Sequence, residues 1–144
     1  MFLPLLYKHL PAPKLLNILS HFKYYTMVTE EINKAIVSEC NTWYATLAAY
    51  SEKINKLKRE LYFFAPGKTG HDVLLGIEHF HNQIHIQLIN IHDLKHEIKS
   101  HIKEAERYPR IGHRIPHHYL KDKIDLLVSD LDQLEDDFHQ FVQQ

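Results

Sequence analysis

A single cysteine, Cys40, excludes an internal disulfide, so any fold of this chain must be held together by its core. Glycine is almost as scarce. With four of them there is little scope for Gly-rich phosphate or dinucleotide loops, and the one imitation, GKT at residues 67–69, has Tyr62 where the leading glycine is required. There is no excess of either charge. Lys and Arg number 17 against 18 Asp and Glu, giving a formal net charge of -1, so no whole-chain field draws in nucleic acid or anionic lipid. Long hydrophobic runs are missing too. MFLPLLY at the start is too short to span a bilayer and lacks a charged leader and a small-residue cleavage site, so neither a membrane span nor an export signal is expected. No HExxH, nucleophile elbow or comparable catalytic motif occurs, which argues against an enzyme. No stretch alternates polar and apolar with period two, so no sheet is predicted.

Helical periodicity is present throughout the rest. Ile32, Ile36, Cys40, Trp43, Leu47, Tyr50, Ile54, Leu57, Leu61 and Phe64 follow one another by alternating threes and fours, a heptad seam. Thr29 is a candidate N-cap for this first helix, and Pro66 with Gly67 stops it. A second seam holds Val73, Ile77, Phe80, Ile84, Leu88, Ile91, Ile98, Ile102 and Ala105, between a capping-box-like Thr69/Asp72 and Pro109. A third seam, Leu120, Ile124, Leu127, Leu131, Leu134, Phe138 and Phe141, follows Pro116. Short connections at 65–69 and 108–115 make consecutive helices antiparallel. The expected fold is an all-α, up-down-up three-helix bundle of long coiled-coil-like helices.

Charge supports that topology. The third helix opposes its own dipole, basic at His117, His118, Lys121 and Lys123 and acidic from Asp130 to Asp137, and the parallel first helix has the opposite polarity. Residues 29–144 therefore form the bundle domain. Residues 1–28 differ, with three lysines, three prolines and no acid. They read either as an extension carrying a short amphipathic fourth helix, KLLNILSHFKYY, or as sequence upstream of a natural start at Met27. Seams of unequal length leave apolar residues uncovered at one end, and Ile86, Ile89 and Leu94 point outward from helix two. A homo-oligomer or a protein partner is expected to cover them.

Histidine is the abundant residue, with thirteen in the chain. EHFHNQIHIQLINIHDLKH at residues 78–96 places His81, His85, His92 and His96 about 40°, 80°, 60° and 100° from the helix-two seam, one stripe beside the core face. His79 and His101 point elsewhere. The i, i+4 pair His81/His85, reached by Glu135 and His139 of helix three if the two flanks face each other, is a candidate zinc or iron site. In the competing reading the stripe is solvated or lies at an interface. Protonating it below about pH 6.5 should then weaken whatever packs on it. The second connection, RYPRIGHRIPHHYLKDK, is basic and aromatic, and Arg107, Arg110, Arg114 and Lys121 are its candidate anion-binding residues. The functional expectation is a non-enzymatic, cytoplasmic helical bundle acting in protein–protein interaction or self-association. The alternative is a metal-binding bundle that uses the His/Glu cluster between helices two and three.

Overall fold

The computed structural model describes residues 11–107 and 117–144. Three helices follow in order, α1 (Ala12–Phe64), α2 (His71–Arg107) and α3 (His117–Val142), and the described residues contain no strand. Each packs on the other two. Among the described residues no helix is long and apolar enough to cross a membrane.

Cross-helix pairs fix the directions. Tyr50 and Lys53 of α1 meet Asp132 and Glu135 of α3 at 2.8 and 3.5 Å, and Glu60 meets His139 at 3.6 Å, so numbers rise together and the two helices are parallel. Lys123 of α3 donates to Glu97 of α2 at 2.9 Å, while Phe138 packs on Phe80 further along, so these two are antiparallel. This is the expected up-down-up bundle. The opposed polarities of α1 and α3 meet as anticipated, although each such exposed pair is worth only about 0–1 kcal/mol.

The core is built from the seams. α1 buries Cys40, Leu47, Ile54, Leu57 and Leu61; α2 buries Phe80, Ile84, Ile91, Leu94, Ile98, His101 and Ala105; α3 buries Leu120, Ile124, Leu127, Leu131, Leu134 and Phe138. Ile86 and Ile89 are exposed as expected, but Leu94 is buried. The reason is register. The strict heptad on α2 runs through positions 77, 80, 84, 87, 91, 94, 98, 101 and 105, so Leu94 and His101 are seam residues.

The start of α1 also differs. Thr29 is not an N-cap but lies inside the helix, its hydroxyl donating to the Tyr25 carbonyl at 2.7 Å, as Thr26 does to Phe22. No glycine or proline occurs between Lys14 and Ala65, so nothing halts the helix upstream until Pro13 and Pro11. Residues 14–25 are helical, as the amphipathic pattern implied. They form the first turns of α1 rather than a separate fourth helix, and residues 1–10 lie outside the described residues. At the other end Ala65 donates to the Leu61 carbonyl at 3.0 Å and Gly67 takes φ 79°, a left-handed turn suited to glycine.

At 1.5 Å per residue α1 is about 80 Å long, α2 about 55 Å and α3 about 39 Å. Ala105 and Glu106 near the end of α2 share a crevice with Asn33, Val37 and Asn41. Residues 12–32 therefore extend roughly 30 Å beyond the described ends of the other helices.

Candidate functional site

Two features stand out from the packed core: a layer of polar seam residues at one end, and the extended first half of α1.

The polar layer lies where the three seams converge below the overhang. Each helix supplies one heptad position to it: Cys40 from α1, His101 from α2 and His117 from α3, three residues before Leu120. Cys40 is 0% exposed and His101 2%. His101 Nε2 lies 3.2 Å from His117 Nδ1, with the two rings stacked at 5.4 Å and 17°. His117 Nε2 in turn reaches the Glu39 carboxylate, and its other face lies on Trp43 at 4.7 Å. One donor atom from each of Cys40, His101 and His117 falls within 4.8 Å of the others, the only such group of three or more His, Cys, Asp or Glu among the described residues.

Burial is the main cause of an unusual thiol. It pushes Cys40 from its ordinary 9.0 up to about 11, with the Glu39 charge adding to the effect. Tyr50 is raised to about 12 by burial and by its hydrogen bond to Asp132. Both groups are neutral in the fold at a pH where the unfolded chain would already have lost the proton. Their stabilising contribution is therefore complete below about pH 9 and is lost as pH rises through their folded values. Urea midpoints should fall steeply from pH 9 to 11, with Cys40 contributing up to about 1.4 kcal/mol per pH unit. Cys40→Ala and Tyr50→Phe should each flatten that limb, and midpoints constant between pH 8 and 10.5 would contradict this account.

The histidines anticipated from spacing are placed differently. His81, His85, His92 and His96 are all exposed. His81 and His85 line a groove on the α1–α2 flank together with Asn55, Lys58 and Tyr62. Glu135 and His139 pair with Lys53 and Glu60. On α1, residues 53 and 60 project roughly opposite to 55, 58 and 62, so the two halves of the proposed cluster sit on opposite flanks of that helix. The structure does not bring His81, His85, Glu135 and His139 together. The handedness of the bundle decides this, and the flanks had to face each other for the site to exist.

Of the anion-binding candidates, Arg110 and Arg114 lie outside the described residues. Arg107 is exposed at the end of α2, and the Lys121 ammonium donates to Asp125 one turn on, which raises its pKa. His101 and His117 were not among the anticipated site residues. The signal that could have found them was present: both occupy heptad positions in the layer of Cys40.

The second feature is apolar. Leu16 is 68%, Leu19 56% and Phe22 50% exposed along the overhang, with Tyr25 and Ile32 similarly open. At the opposite end of α1, Tyr62 and Phe63 are exposed beside the groove, while Phe64 packs against Phe141 at 5.4 Å. No protein-family model, curated protein or solved structure matches the chain.

Proposed function

We propose that this protein is a non-enzymatic interaction module that self-associates through the first half of α1. Support comes from one observation above the rest: about 30 Å of amphipathic helix stands clear of the described bundle with Leu16, Leu19, Phe22 and Tyr25 half or more exposed. Its stripe stays in register with the core seam. Positions 15, 19, 22, 26, 29, 33, 36 and 40 continue the same three-four spacing, with Leu15, Leu19 and Phe22 at the far end and Thr26, Thr29 and Asn33 between.

A second copy is the occupant that the charges favour. Lys14 and Lys23 lie towards the start of this stretch and Glu30 and Glu31 at its end, without an acid before residue 30. Antiparallel overlap about Phe22 sets Lys14 of each copy against Glu30 and Glu31 of the other, twice by symmetry. Burying Leu15, Leu19 and Phe22 on both sides is worth about 1.5–3 kcal/mol per side chain, against an association cost of roughly 4–15 kcal/mol. The two ranges overlap, so the balance allows a reversible dimer of modest affinity.

Sedimentation equilibrium of the full chain between 5 and about 200 µM should show a monomer–dimer equilibrium. Leu19→Asp with Phe22→Asp should shift it to monomer while leaving the cooperative melt of the bundle intact. A monomer at every concentration would refute the proposal, as would a dimer indifferent to the double substitution.

A further inference from the structure

A buried thiol, two buried or half-buried imidazoles and a carboxylate behind one of them make up a donor set that packing alone does not require. Leucine or isoleucine at positions 101 and 117 would fill the same seam layer and avoid the cost of burying polar rings. We infer that Cys40, His101 and His117 bind one divalent transition-metal ion, with Zn2+ the best match, at the junction of all three helices. This is independent of self-association by the overhang.

The geometry carries the assignment. Four-coordinate zinc takes nitrogen at about 2.0–2.1 Å and thiolate at about 2.3 Å, so two imidazole ligands on one ion lie roughly 3.4 Å apart. His101 Nε2 and His117 Nδ1 already stand 3.2 Å apart, and the Cys40 sulfur lies within 4.8 Å of one ring nitrogen of each. His117 is also held as metal-ligating histidines usually are: its Nε2–H donates to Glu39, which fixes the tautomer with its lone pair on Nδ1. The described residues supply three of the four donors.

Proton balance follows from the donor set. Without an ion, His101 Nε2–H donates to His117 Nδ1. On binding, His101 ligates as the tautomer protonated at Nδ1, and the Cys40 thiol gives up its proton to solvent as the sulfur–metal bond forms. One proton is released per ion, and no electron is transferred. Among the described residues, the charged and titratable groups facing the thiol include Glu39 from its own helix and the imidazoles of His101 and His117 from α2 and α3, with Lys121 of α3 close enough to act on Glu39. Because the thiol must lose its proton to ligate, affinity should rise with pH, by up to about tenfold per unit.

The test uses the full chain, stripped of metal by a chelator. Titrated with Zn2+ against a competing chelator, it should take up one ion per chain with a dissociation constant below about 1 µM. Co2+ should give tetrahedral d–d bands together with a thiolate-to-cobalt charge-transfer band. Cys40→Ala should abolish that band and weaken Zn2+ binding more than a hundredfold, with circular dichroism confirming that it stays helical. Glu39→Gln should weaken binding by about 10–100-fold and retain the charge-transfer band, because it acts through His117. Replacing His81, His85, His92 and His96 together by glutamine should leave the tight site unchanged. Binding no tighter than about 10 µM would overturn the assignment, as would cobalt spectra without thiolate character or tight binding lost only with the four exposed histidines.

Discussion

Replacing Phe138 with alanine is expected to lower the unfolding free energy by about 3–5 kcal/mol, the range for deleting a fully buried aromatic ring. The ring is 0% exposed and meets Phe80 edge-on at 5.5 Å and 80°. Phe80 is itself held by Phe141, which packs on Phe64, so one wall of the space left by the ring is a set of interlocked aromatic side chains. Bulky planar rings refill such a space poorly, which puts the cost in the upper part of the range. A domain of this size is stable by roughly 5–15 kcal/mol, so this one substitution removes a third or more of the total. Phe138→Leu should cost roughly half as much. Leu126→Ala, on the same helix but 66% exposed, should stay within about 0.5 kcal/mol of the parent. Urea denaturation of the four proteins measures this, and a loss below about 1.5 kcal/mol for Phe138→Ala would show that this end of the bundle is loosely packed.

The bundle was legible because its information is local and repetitive. Three apolar seams and two helix-breaking connections determine number, direction and facing of the helices, and the opposed polarities of α1 and α3 agree with them. The errors are informative. Thr29 has the right chemistry for a cap, but a cap competes with a helix only where something weakens the preceding turns, and residues 14–28 contain neither glycine nor proline. A threonine there satisfies its hydroxyl on the Tyr25 carbonyl instead.

The site was less legible, for a different reason. Following apolar residues along α2 leads to Ile102 and past its polar neighbour, whereas following strict heptad positions leads to His101, which is buried. A polar residue in a seam is the informative exception, yet histidine is densest in the exposed stripe at 81–96. Handedness is the other obstacle. Whether the flank bearing His81 and His85 faces α3 or the outer side of α1 depends on which way the third helix is laid against the first two, and up-down-up connectivity allows both. The overhang is a third case. Its apolar stripe is visible in the sequence, but its exposure depends on how far α2 and α3 reach along α1.

Gly76→Ala should destabilise the protein by about 1–3 kcal/mol, against the intrinsic preference of the helix. In an isolated helix the same change would stabilise by about 1 kcal/mol, since glycine is the poorer helix former. In the bundle, a Cβ at position 76 would stand 2.3 Å from Cε2 and 2.6 Å from Cζ of Phe141, so the ring must leave. Phe141 is one residue from the end of α3, and fraying of that last turn gives it somewhere to go. Leaving still costs its share of buried surface, about 1.5 kcal/mol, and its contacts with Phe64 and Phe80, each worth about 0.5–1.5 kcal/mol. These losses exceed the propensity gain, which settles the sign. The pair should therefore couple: with Phe141→Leu already in place, Gly76→Ala should cost at least 1 kcal/mol less than it does alone, because the smaller side chain leaves room for the methyl group. A double-mutant cycle in urea measures the coupling. Stabilisation by Gly76→Ala in the parent background, or strict additivity in the cycle, would mean that the Phe141 ring does not rest over Gly76 and that the aromatic end of the bundle is open.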